Sequence, residues 1–184
     1  LEILRPKERW QLYFVIVAEH PIDPDKMVIG TIPSEPATGG YIRLKPREQN
    51  KISFVPEGTG ADGLFVLERE LPPDRRIKVR TYLRHSRQGT RNAGKILQDL
   101  KSGIGADAIG IVANILGSTN PWLVIAKSAI PLVGKILTDI KDRDFGFISM
   151  DEEFGPEFES QSELDRSNTF STGDAKLVWS WSVK

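Results

Sequence analysis

The residues in this chain best arranged for chemistry are cations. Arg76, Lys78, Arg80 and Arg84 alternate with Ile77, Val79, Thr81 and Leu83. At the two-residue period of a strand, the four cations and Tyr82 fall on one face. From Arg75 to Lys101 there are nine basic residues and one acidic residue, Asp99. A cationic stripe carrying an aromatic ring has the chemistry to hold the phosphates of nucleic acid or lipid. The segment from Asp139 to Asp165 has the opposite sign, with ten acidic residues against two basic ones. Mutual pairing or plain solvation is therefore the simpler expectation for both segments.

Within the acidic segment, Asp142, Asp144 and Asp151 are the candidates for a metal site, and calcium is the ion they suit. Calcium needs six to eight converging oxygens, which loops at the tip of a β-sandwich can supply. The spacing fails the EF-hand pattern, because Asp142-Arg143-Asp144 runs into Phe145-Gly146 with no spaced glutamate after it. A solvated acidic loop is the expectation, and no other cofactor is implied. Gly58 to Gly63 spells GxGxxG, but Leu64-Phe65-Val66-Leu67 after it reads as a strand. A dinucleotide site needs a helix there, so a loop between strands is expected. The two histidines, His20 and His85, lack the nucleophile and orienting acid of a triad, and both fall at strand ends. No catalytic residue is assigned.

Composition narrows the classes further. The 184 residues hold 25 basic and 25 acidic side chains, so bulk charge draws the chain towards neither nucleic acid nor anionic lipid. Zero cysteines exclude disulfides and thiolate chemistry while leaving the compartment open. A chain that begins at Leu1 rather than Met is expected to have lost residues ahead of it. Length favours one domain over two.

The elements that must position the cations fall into three zones. Residues 8–86 read as β. Trp10 to Ala18 is apolar on both parities, which predicts a strand covered on both faces. Met27 to Ile32, Tyr41 to Leu44, Ile52 to Val55, Leu64 to Leu71 and Ile77 to Leu83 are further strands, with Pro72-Pro73-Asp74-Arg75 as a turn. Residues 90–142 read as helical: Asn92 to Lys101, then Ala106 to Leu116, then Pro121 to about Lys141 with a kink at Pro131. Trp122, Ile125, Val133 and Ile136 are expected to share the face of this last helix that meets the sheet. Residues 144–184 return to β around a long loop at 151–173. They end on Leu177, Trp179, Trp181 and Val183, which alternate with polar residues and read as a half-buried strand.

Between Ile104 and Leu137 the only charges are Asp107, Lys127 and Lys135. Two lysines in mid-helix cost roughly 2.5 to 3.5 kcal/mol each in a bilayer, against about 0.3 to 0.6 kcal/mol gained per large aliphatic residue. Spanning is disfavoured and packing against a sheet is expected. The reading is an α+β chain: a β-sandwich-like antiparallel framework with an inserted apolar helical hairpin, one domain over 1–184. Its expected role is a non-enzymatic interaction module that uses the helical insertion or the face of Arg76, Lys78, Arg80, Tyr82 and Arg84. Its partner is expected to be a protein or an anionic lipid surface rather than nucleic acid. The alternative is a membrane-active or lipid-binding protein whose apolar helices contact a bilayer.

Overall fold

A computed structural model describes residues 1–4, 10–32, 42–44, 50–51, 70–86, 102, 108–113, 121–139 and 142–184. Strand β2 (Trp10–Glu19) organises them. Its two parities enter two different cores, as its apolar run requires. Trp10, Leu12, Phe14, Ile16 and Ala18 point into one, and Tyr13, Val15 and Val17 into the other. A fully buried aliphatic or aromatic side chain contributes about 1.5 to 3 kcal/mol, so this one strand anchors both sides of the molecule.

Every strand pairing among the described residues is antiparallel. β1 is Glu2–Ile3, and β2 pairs with β3 (Lys26–Ile32) and, nearer its start, with β4 (Ile42–Leu44). After β5 (Arg76–Ile77) comes β6 (Val79–His85), which flanks the opposite side of β2. β7 (Ala108–Ala113) and β8 (Pro121–Ala126) extend the sheet beyond β3, and β9 (Arg143–Ser149) borders β6. The order is β7-β8-β3-β2-β6-β9, with β4 beside β2. β10 (Glu152–Glu153) pairs with β5. A second sheet, ordered β1-β12-β11, joins β1 to β12 (Ala175–Ser182) and β11 (Glu163–Thr169). It covers the first core with Ile3, Ala175 and Leu177, and with the half-buried Leu164, Trp179 and Trp181. Trp179 and Trp181 thus take the expected inner face of the last strand, without being fully enclosed.

The fold is a sheet-rich α+β arrangement of antiparallel sheets, and the expected helical hairpin is not shown. The segment expected as its first arm, Ala106 to Leu116, contains β7, and the segment expected as its second arm begins as β8. Only a 3₁₀ turn at Lys127–Ala129 and helix α1 (Ile130–Asp139) follow. The reason is local. A short apolar run reads alike as a buried helix or as a strand buried on both faces, and the β-branched residues here favour the strand. Trp122 and Val124 enter the first core, while Leu123 and Ile125 enter the second. Trp122 and Ile125 therefore lie on opposite faces of β8 instead of sharing a helical stripe. Pro131 is the second residue of α1, where its missing N–H breaks no helical bond, so it starts the helix rather than kinking it. α1 buries Val133 and Leu137, one turn apart, over the second core and leaves Lys135 and Thr138 exposed.

Residues 151–173 are not one long loop either: they hold β10, the short helix α2 (Glu157–Ser160) and β11. The polarity of β11 hid it, because Glu163, Asp165, Ser167 and Thr169 face solvent and the inward positions include Arg166. The Arg166 guanidinium binds both Glu152 carboxylate oxygens at 2.9 Å, and also reaches Glu157. These carboxylates, Glu152 foremost, hold the guanidinium pKa above its ordinary value. The strand expected at Ile52 to Val55, most of that at Leu64 to Leu71, the helix expected at Asn92 to Lys101, the Gly58 to Gly63 motif and Arg87, Arg91, Lys95 and Lys101 lie outside the described residues.

Candidate cation–aromatic site

The alternation of β6 fixes where its cations go. Val79, Thr81 and Leu83 are buried on the first-core side, so Arg80, Tyr82 and Arg84 take the other side, the one α1 partly covers. Sequence parity brought them together correctly, but it did not separate their environments, and the structure divides the expected stripe into three parts.

Arg84 is buried, with only 2% of its side chain exposed. Its guanidinium lies 3.3 Å from Asp144 Oδ2 and donates to the Asp142 carbonyl oxygen at 3.4 Å. The Tyr13 hydroxyl donates to Asp142 Oδ2 at 2.8 Å. Burial pushes the Tyr13 hydroxyl pKa well above the ordinary tyrosine range; Asp142 adds to that rise and Arg84 opposes it. This internal polar cluster ties β2, β6 and the start of β9 together. Arg84 is therefore not a surface residue, because the protein's own carboxylates complete its charge.

Arg76 leaves the stripe in another way. Its guanidinium binds Glu153 Oε2 at 2.7 Å across the β5–β10 pair, both side chains being exposed. Here the basic and acidic segments do meet. Lys78 and Arg80 remain: both are exposed, and neither side chain forms an ion pair among the described residues, while the Glu19 carboxylate, opposite on β2, accepts from the Lys78 backbone N–H at 3.4 Å. Asp151, exposed just beyond β9, pairs with neither.

The structure adds a residue the sequence did not nominate, Phe147. The Arg80 guanidinium lies 5.0 Å from the centroid of its ring, and the ring centroids of Tyr82 and Phe147 are 5.8 Å apart. Phe147 is 41% exposed, while Phe145, two residues earlier, is 1% exposed in the first core. Residues two apart normally share a face of a strand. They diverge because the pairing passes from Tyr82↔Phe147 to Arg84↔Asp144, so that Phe145 and Gly146 of β9 oppose Leu83 alone of β6. Gly146, at φ 86°, takes the extra step of that bulge. A glycine between two phenylalanines was the available signal. Arg80, Tyr82 and Phe147 thus form a patch of one cation and two rings at the outer edge of the large sheet, with the exposed Lys78 two residues before Arg80.

The calcium candidates are not brought together. Asp142 serves Tyr13, and Asp144 serves Arg84 and accepts from the Gly146 N–H at 2.7 Å. Asp151 lies seven residues further on, about 20 Å along an extended chain. Among the described residues no three metal-ligating side chains converge. The histidines serve the backbone. His20 Nδ1 accepts from the Ile22 and Asp23 N–H groups, shaping the turn after β2. His85 Nδ1 accepts from Gln11 N–H at 3.0 Å, and its ring meets Trp10 edge-on. No described helix is long and apolar enough to cross a membrane. No protein-family model, curated protein or solved structure matches the chain.

Proposed function

We propose that this chain is a non-enzymatic interaction module, and that its contact surface is the patch of Lys78, Arg80, Tyr82 and Phe147, which takes an acidic protein surface. The observation that carries the reading is a guanidinium, Arg80, that forms no ion pair among the described residues and lies over a ring that a bulge turns outward, with the exposed Lys78 two residues before it. Arg76, Arg84 and Arg166 are each matched by acidic groups, and Arg75, Lys127 and Lys135, which like Arg80 form no ion pair among the described residues, have no such ring beneath them there. An exposed aromatic with a guanidinium over its face is the composition found at the centre of protein contacts, where aromatic and arginine side chains dominate binding energy. The alternative of apolar helices in a bilayer is less favoured, because Trp122, Leu123, Val124, Ile125, Val133 and Leu137, the described apolar side chains it would use, are buried.

The test is the affinity of the whole chain for a fluorescent poly-L-glutamate probe, at low and raised salt. Binding is expected to be weak and salt-sensitive. Joint replacement Lys78→Glu and Arg80→Glu is expected to weaken it about tenfold or more, equivalent to about 1.4 kcal/mol. Unchanged binding by this variant overturns the reading. Phosphatidylserine vesicles form the control arm: binding to vesicles without binding to poly-glutamate favours the lipid alternative.

A further inference from the structure

We infer that the acidic surface fitting this patch is on a second copy of the same chain, namely the open edge of β11. The inference rests on the patch being a contact surface and names its partner.

Among the described residues β11 ends the smaller sheet and β9 ends the larger one. In an antiparallel pair, alternate residues turn their backbone groups towards the neighbouring strand and away from it. Val183 N–H donates to Ser162 O, and Phe170 N–H donates to Ala175 O. The even-numbered residues of β11 therefore face β12. Glu163, Asp165, Ser167 and Thr169 turn their N–H and C=O groups outward; of these the Asp165 carbonyl accepts from Arg166 at 3.4 Å and the Thr169 N–H donates to Asn168 Oδ1 at 2.8 Å, which leaves Glu163 and Ser167 as the open positions among the described residues. On β9, Met150 N–H donates to Val79 O, which leaves Phe147 and Ser149 as the residues whose backbone groups face away from β6. Phe147 N–H is taken by Ser171 Oγ at 3.2 Å and the Phe145 carbonyl by Thr172 Oγ1 at 2.7 Å, and among the described residues the outward backbone groups of Ser149 have no partner. An exposed strand edge is a template for pairing with another chain.

Charge decides which edges can meet. Glu163 and Asp165 are exposed, and no cation forms an ion pair with either carboxylate among the described residues. Two β11 edges brought together would oppose these carboxylates to their own kind, which disfavours symmetric pairing. Beside the β9 edge, Lys78 and Arg80 offer the opposite sign. The Arg80 head already reaches across to the ring of Phe147, placing its charge near the outer strand. The chain's formal net charge is zero, so no overall repulsion keeps copies apart. The contact is heterologous, the β11 edge of one copy on the β9 patch of the next, so it grows as an open series unless it closes into a ring.

Sedimentation velocity over a concentration series tests this with four samples: the wild-type chain, Lys78→Glu with Arg80→Glu, Glu163→Lys with Asp165→Lys, and a 1:1 mixture of the two variants. All four substituted side chains are exposed, and circular dichroism verifies that the variants fold. The wild type is expected to show a weight-average sedimentation coefficient that rises with concentration at low salt and falls back in raised salt. Each double variant alone is expected to associate at least about tenfold more weakly, and the mixture to recover association, because the reversed charges complement each other. A wild type that stays monomeric while still binding poly-glutamate through Lys78 and Arg80 overturns the second copy as partner and leaves the patch reading intact. Failure of both experiments overturns both. Self-association that neither variant changes also overturns the proposed contact.

Discussion

Arg80 and Arg84 stand four residues apart on the same side of β6, yet Arg80 is exposed beside Phe147 and Arg84 is buried against Asp144. The same charge change should therefore have opposite consequences at the two positions. Arg84→Glu places a third carboxylate among Asp142 and Asp144 in a buried site, and should unfold the protein at room temperature or cost about 4 kcal/mol or more. Arg80→Glu should change stability by no more than about 0.5 kcal/mol. Urea denaturation of the two variants checks this, and equal behaviour would contradict the division of the stripe.

Tyr13 gives a pH signature to the same cluster. Its hydroxyl pKa is raised in the folded protein, chiefly by burial. A group of this kind stabilises the fold fully below its unfolded value, near 10, and the contribution is lost as pH rises beyond it. Tyr13→Phe should cost about 1 to 3 kcal/mol at neutral pH by leaving the Asp142 carboxylate short of a donor. The stability difference between variant and wild type should shrink above about pH 10. Melting curves of both proteins from neutral to alkaline pH measure it; a difference that grows with pH would be inconsistent with a raised Tyr13.

Gly146 controls the outward turn of Phe147. A side chain there would have to adopt φ 86° and would collide with Ser171 Oγ. Gly146→Ala should destabilise by about 2 kcal/mol or more, combining backbone strain and overlap. Adding Ser171→Gly should recover part of the loss, the overlap, and leave the strain. Chemical denaturation of the single and double variants separates the two terms, and a neutral Gly146→Ala would argue against the bulge.

Ile125 tests the reassignment of the apolar segment. It is fully buried in the core beneath α1, together with Val133 and Leu137. Ile125→Asp puts an unpaired charge there and should abolish the cooperative melt. A folded variant, seen by circular dichroism, would return this segment to the surface.

Arg75 holds a left-handed conformation, φ 55°, at the turn after Pro72 and Pro73. Its N–H donates to Pro72 O and its carbonyl accepts from Phe154 N–H, so the geometry is fixed from both sides. Arg75→Gly should stabilise by about 0.5 to 1 kcal/mol, the left-handed strain relieved exceeding the added chain entropy. A loss of stability in the same denaturation assay would contradict that.

What was legible in the sequence follows the physics of periodicity. β2 showed its two buried faces because apolar residues fill both parities, and β12 showed its inner face because Leu177, Trp179 and Trp181 alternate with polar residues. The parity of Arg80, Tyr82 and Arg84 was equally plain. β7 and β8 were not, because Ala108 to Ala113 and Trp122 to Ala126 are apolar throughout, and only tertiary burial separates a strand from a helix there. β11 escaped because its solvent face is charged and one of its inward positions is an arginine neutralised by Glu152 and Glu157. The exposure of Phe147 depends on a one-residue bulge, which strict alternation through Phe145 and Phe147 conceals.

The central claim is that acidic surfaces meet this protein at the β6–β9 patch. The most direct measurement is a titration of the ¹⁵N-labelled chain with poly-L-glutamate, following backbone amide shifts residue by residue. Shifts concentrated on Lys78, Arg80, Tyr82, Phe147 and Ser149, and suppressed by salt, are the expected result. Shifts centred elsewhere, or none at probe concentrations that saturate an unrelated basic protein, would contradict it.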